Sequence, residues 1–199
     1  MQKPPVHIVD MLQSAQSQSD FLGIKQLKWV KRSSEEIGED MGLFNLITSG
    51  DAFHFMDREK VLKLCYDRLV PGGALALVDQ GDLLGELTQP WQREAQTVIN
   101  KWFGSSRLRA KGSDIPHEVF LEKSPFRKIL HGKVKFTRKR DIKSIIGYLY
   151  STSTCSKRRL GTDAALFERD LYQALYAVDR SGQFEEPVTD YYIIAFKEK

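Results

Sequence analysis

The sequence predicts an α/β fold, a single domain over residues 1–199 built on a mostly parallel sheet. Three observations carry this. Residues 43–48 and 74–78 are continuous apolar runs, the mark of strands covered on both faces. Residues 57–70 lie between them as an amphipathic helix, with Val61, Leu62, Cys65, Leu69 and Val70 along one side. Pro71-Gly72-Gly73 then stops the helix and turns the chain into the next strand. Strand, helix and strand joined by short turns is the rhythm of parallel units.

The remaining elements follow in order. Residues 6–10 (VHIVD) read as a short buried strand ending in an acid, and 11–18 are compatible with a helix. Residues 27–31 (LKWVK) alternate as a strand. Asp57 is suited to cap the helix that follows it. After Asp79 the rhythm loosens. Residues 91–103 read as helix, and 133–140 as a basic edge strand. Residues 141–150 and 162–178 read as two further helices, the second with Leu166, Leu171, Ala174, Leu175 and Val178 on one face. Residues 191–196 (YYIIAF) close the fold as a strand.

Composition narrows the function classes. With 199 residues and 41% hydrophobic side chains, there is apolar material for one ordinary core. A charged fraction of 28%, with no apolar run near the roughly 18–20 residues of a membrane span, predicts no membrane partner. The opening MQKPPVHIVD lacks the apolar stretch of a signal peptide. The two cysteines, Cys65 and Cys155, supply neither a disulfide framework nor a cysteine metal site, so a reducing, cytoplasmic setting is expected. Charge is unevenly spread. Residues 101–159 hold 16 Lys and Arg against 4 Asp and Glu, a net +12, between two flanks of −4 each. Such a field attracts an anionic substrate, nucleic acid or an acidic surface, or it is a solvated surface with no partner.

Phe44-Asn-Leu-Ile-Thr-Ser-Gly-Asp-Ala-Phe-His-Phe-Met-Asp57 resembles the fourth-strand motif of class I S-adenosylmethionine-dependent methyltransferases, small-molecule branch, where it reads FDLVxxxxAxHW. Asp67-Arg-Leu-Val-Pro-Gly-Gly-Ala-Leu-Ala76 resembles the RxLxPGGxLxL block of that family. Residues 27–37 resemble its third strand and the segment after it. Ile146-Gly-Tyr-Leu-Tyr-Ser-Thr-Ser153 resembles a segment of its C-terminal half. The resemblance implies a Rossmann-like methyltransferase sheet. It divides the chain into a cofactor-side core over 1–80 and substrate-covering and closing elements, helical and basic, over 81–199. The family's opening strand and Gly-rich loop, of the form LDxGxGxG, have no counterpart before Val6, so the sheet is expected to lack its first strand.

Site residues follow from the same resemblance. His54 matches the family's His near the site of methyl transfer. Ser34 and Glu35 match positions that meet the adenine, and Asp10 is the candidate for the acid that holds the ribose. Ser49 and Gly50 stand just past a strand end, where ligands of open parallel sheets bind. Gly50 permits close backbone approach. Trp91, Tyr148, Ser151 and Ser153 are candidates for contacting the acceptor. On residue chemistry alone, Glu35 also reads as a helix cap, and His54, Trp91 and Tyr148 as packed residues.

The function implied is transfer of a methyl group from S-adenosylmethionine to a small, anionic acceptor. Cofactor binding is expected to be weak or absent without the Gly-rich loop. Two alternatives stand beside it. One is a non-catalytic protein of the same fold acting through a partner, with a homodimer formed by sheet-edge pairing as one form. The other is a nucleic-acid-binding protein using 101–159, for which no recognised motif is present.

Overall fold

The computed structural model describes residues 8–81, 83–84, 87–104, 115–152 and 154–199. Four strands form one sheet: β1 (Phe44–Gly50), β2 (Leu69–Gln80), β3 (Lys128–Asp141) and β4 (Gln183–Phe196), in the order β1-β2-β4-β3. β1 and β2 are parallel, whereas β4 is antiparallel to both of its neighbours. One pairing in three is parallel, so the sheet is mixed rather than mostly parallel. An apolar run marks a strand covered on both faces but carries no direction. The direction of β4 is set by where the preceding helices return the chain.

Two expected strands are not formed. Ile8–Phe21 is a helix, α1, so residues 8–10 are helical; residues 6 and 7 lie outside the described residues. The run from Ile8 continues through Met, Leu, Gln and Ala, all good helix formers. Residues 27–31 have no regular structure, and Leu27, Trp29 and Val30 are exposed. Alternation is not enough for a strand, because the backbone also needs a neighbour with which to exchange hydrogen bonds.

The central helix and its two strands form, but the helix ends at Arg68, so Leu69 and Val70 belong to β2 rather than to the helix stripe. Asp57 caps α2 (Arg58–Arg68) by accepting the Lys60 N–H at 3.2 Å. Pro71-Gly72-Gly73 belongs to the start of β2, where pairing with β1 jumps from Phe44–Leu69 to Leu46–Ala74. Gly72 turns there with φ +78°. A Cβ on Gly73 would stand 3.0–3.2 Å from the carbonyl oxygens of Val70, Asn45 and Phe44, so a side chain there would crowd the bulge.

Two cores result. In the first, Leu75 and Leu77 of β2 and Ile193 and Ala195 of β4 pack with Val61, Leu62 and Cys65 of α2, with Phe53, and with Leu121 of α4 (His117–Leu121). In the second, α3 (Pro90–Phe103), α5 (Ile142–Ser151), α6 (Lys157–Leu160) and α7 (Ala164–Val178) gather around Phe167, Leu171 and Leu175. The antiparallel β3–β4 ribbon joins the two. It runs past the end of β2 and delivers Phe184 into the helical core.

At that junction lies Glu186, only 2% exposed. Arg140 donates to it at 2.7 Å, and Arg138 stands 3.9 Å away. Part of the basic stretch is thus turned onto one buried carboxylate, whereas Lys133, Lys135 and Lys139 are exposed along edge strand β3. Lysines on an edge discourage pairing with other chains. No helix among the described residues is long and apolar enough to cross a membrane.

Candidate functional site

The parallel strands β1 and β2 end side by side, with Gly50 opposite Val78. Asp51 ties the two tips together. Its N–H donates to the Val78 carbonyl at 2.9 Å, and its carboxylate accepts the Gln80 N–H at 2.8 Å, at a φ of +45°. Asp and Asn tolerate that left-handed conformation better than most residues. The chain then makes a 3-10 turn, Phe53–Phe55. Phe53 is fully buried and anchors the turn, which leaves His54 half-buried at its centre. Burial lowers the His54 pKa below its ordinary value, while Asp79 and Asp51 work against that and His117 and Arg58 with it. The imidazole is neutral at neutral pH and can accept a proton.

Beside it, Asp79 projects from the tip of β2. The Nε2–H of His117 donates to Asp79 at 3.0 Å, and the Arg58 guanidinium stands 3.2 Å from His117 Nδ1. These partners define the imidazole tautomer, with Nε2 the donor and Nδ1 the acceptor. The His117 hydrogen bond holds the Asp79 carboxyl below the usual carboxylate range, against the opposing effect of burial. Arg58 is itself buried: it donates to the Ile115 carbonyl at 2.8 Å and stacks 3.8 Å from the centre of the Phe120 ring. Asp79 and His117 open onto a cleft of about 400 Å³, further lined by Glu118, His131, Tyr191 and Tyr192.

The predicted residues divide into groups. Ser49, Gly50 and His54 are together at the strand tips. Ser49 Oγ is buried with no partner among the described residues, and a Cβ on Gly50 would meet nothing within 4 Å. Glu35 joins this end of the sheet through the Asp57 N–H, which donates to it at 2.9 Å. Ser33 and Ser34 donate their hydroxyls to the same carboxylate. Those bonds, that from Ser33 foremost, hold the Glu35 pKa at about 2. Glu35 is not the cap of its own short helix, Ser34–Glu36: that capping box is closed by Glu36, which accepts the Ser33 N–H at 3.2 Å. Asp10 falls within α1, and its side chain lies outside the described residues, as does Ser153.

Trp91, Tyr148 and Ser151 belong to the helical unit. Trp91 is buried in the helical core, with its indole N–H donating to the Glu185 carbonyl at 3.0 Å. Tyr148 is partly buried under the Arg140 guanidinium, 5.4 Å from the ring centre. Ser151 donates to the Tyr148 carbonyl at 2.6 Å. Sequence reasoning missed Asp79, His117 and Arg58. Asp79 had a signal, since it directly follows an apolar strand and so stands at its carboxyl tip. His117 had none, because 38 residues separate it from its partner.

No protein-family profile matches the chain, and no curated protein matches it in sequence. Solved structures do. A protein assigned as a type II methyltransferase from Anaeromyxobacter dehalogenans is 16% identical, covering 86% of this chain and 71% of its own, with a TM-score of 0.54. A protein assigned as a methyltransferase from Bacillus halodurans is 17% identical over 96% of this chain and 80% of its own, at 0.48. The YcgJ protein of Bacillus subtilis is 16% identical over 96% and 79%, at 0.47. The first of these likenesses shows a fold shared with that protein.

Proposed function

We propose that this chain is an S-adenosylmethionine-dependent methyltransferase acting on a small molecule, with His54 as the base or positioning group. The observation that supports this best is the seat of His54, a neutral imidazole held where two parallel strands end, in a fold shared with a methyltransferase. Ligands of open α/β sheets bind at such carboxyl ends.

The donor set offers partial but suitable footing for the cofactor. Ser49 brings a buried hydroxyl without a partner, and Gly50 leaves open space beside the backbone. These residues would hold it. S-adenosylmethionine, when bound, supplies an electrophilic methyl group. The chain's own contribution is alignment and proton handling. Asp51 fixes the strand tips, Phe53 anchors the turn, and His54 takes a proton from an acceptor that must lose one. The Asp79 carboxylate favours the imidazolium that results.

Binding of the cofactor is expected to be weak, because the 199 residues contain no GxGxG loop to supply backbone amides. A cytoplasmic setting fits Cys65 and Cys155, both buried free thiols. Nucleic acid is not the partner we favour, since Arg138 and Arg140 are directed to Glu186. A homodimer would use the outer edge of β1, where residues 43–50 carry no charge. Calorimetry with S-adenosylmethionine tests the reading. Saturable heat in wild type, abolished in Gly50→Val, is the expected result, and no saturable heat at millimolar cofactor would remove it.

A further inference from the structure

The cleft beside Asp79 has a chemistry of its own. Its floor is the Asp79 carboxylate, about one-third exposed, with Oδ2 taken by His117 at 3.0 Å. That bond fixes the carboxylate in place while leaving part of it turned to the cleft. A second carboxylate, Glu118, stands on the wall, 3.5 Å from His131. Tyr191, half exposed and opposite Asp79 in the β2–β4 register, supplies aromatic surface.

Arg58, the nearby cation, does not neutralise Asp79 directly. Its guanidinium is buried, donates to the Ile115 carbonyl, and meets Asp79 only through the intervening His117. The cleft presents the partly exposed Asp79 carboxylate beside the Tyr191 ring. Aromatic faces attract cations, and a carboxylate at close range adds Coulomb attraction.

The geometry points to this cleft as a binding site for a small organic ammonium ion, Asp79 pairing with its charge and Tyr191, the cross-strand neighbour of Asp79 on the same face, covering its alkyl groups. The inference rests on the transferase reading only in taking the ammonium as the head of the methyl acceptor. Charge at this end of the sheet thus selects a cation, whereas the basic stretch taken alone suggests an anion.

Binding can be read without any cofactor. The full chain is titrated with trimethylammonium, with pivalate and with tert-butyl alcohol, which share a shape and differ in charge, while backbone amide NMR shifts are followed. Trimethylammonium should give saturable, millimolar shifts centred on Gly132, Tyr191 and Tyr192. Pivalate and the alcohol should bind at least tenfold more weakly. Asp79→Asn should weaken the ammonium at least tenfold, and Glu94→Gln, on the exposed side of α3, should not change it. Tyr191→Ala, at an exposed position that does not threaten folding, should weaken it about threefold. Equal binding of pivalate, shifts centred elsewhere, or an unchanged affinity in folded Asp79→Asn would overturn the proposal. Ammonium binding in a chain that binds no S-adenosylmethionine would leave this site standing and remove the transferase reading. Cofactor binding without ammonium binding would do the reverse.

Discussion

Glu186 offers a quantitative test of how the sheet and the helical unit are joined. Its side chain is 3% exposed and that of Arg140 11%, with 2.7 Å between them. One guanidinium nitrogen of Arg140, Nη2, is already buried without a partner among the described residues. Glu186→Ala removes the carboxylate and leaves that cation in a low-dielectric junction, with Arg138 3.9 Å from the same vacated oxygen. Breaking a buried pair from one side costs about 3–5 kcal/mol. For a chain of this size, each kcal/mol lowers Tm by roughly 2–4 °C, so a fall of about 6–20 °C is expected. Urea unfolding followed by circular dichroism gives the free energy, and an unchanged m-value would show that the loss is one of native stability. The double variant Glu186→Leu with Arg140→Met should recover most of the loss, because apolar replacement of both partners removes the stranded charge. A loss under about 1 kcal/mol in Glu186→Ala would refute the reasoning, as would a double variant no more stable than the single one.

Three further outcomes are expected. Glu35 has a folded-state pKa of about 2 against an ordinary 4.5, so its contribution to stability is full above about pH 4.5 and fades as pH falls towards 2. The stability gap between wild type and Glu35→Gln should close over that window, and a gap independent of pH would contradict the hydrogen bonds from Ser33 and Asp57. Gly73→Ala forces a Cβ against three backbone oxygens and should cost about 1–3 kcal/mol in a thermal or urea melt, whereas a neutral result would mean the bulge can relax. In calorimetry, S-adenosylmethionine should bind this chain at least about a hundredfold more weakly than micromolar, since each absent hydrogen bond to a charged group is worth roughly 1.5–3 kcal/mol; micromolar affinity would contradict that.

By itself, the sequence determined the local elements whose signals are local. The 43–48 and 74–78 runs became parts of strands β1 and β2, although Leu46 and Val78 are exposed rather than covered; Asp57 became the cap of α2; and of the stripe over 162–178, Leu171 and Leu175 are buried beside Phe167 while Leu166 and Val178 are exposed. These outcomes depend on periodicity and capping, which act within a few residues. The tips of β1 and β2 were legible as a ligand-facing end for the same reason, although Ser49 and Gly50 are the last residues of β1 rather than past it, with His54 in the turn that follows. Only the tertiary structure decided the rest. Residues 27–31 alternate like a strand, but among the described residues no neighbour supplies the other half of the ladder. The direction of β4 depends on the path through the intervening helices, not on its own side chains. Arg138 and Arg140 look like free surface charge until β4 brings Glu186 beside them. Asp79 and His117, 38 residues apart, meet because α4 packs against the sheet at the end of β2. Hydrogen-bond and charge partners of this kind are set by the spatial return of the chain, which no short window of sequence encodes.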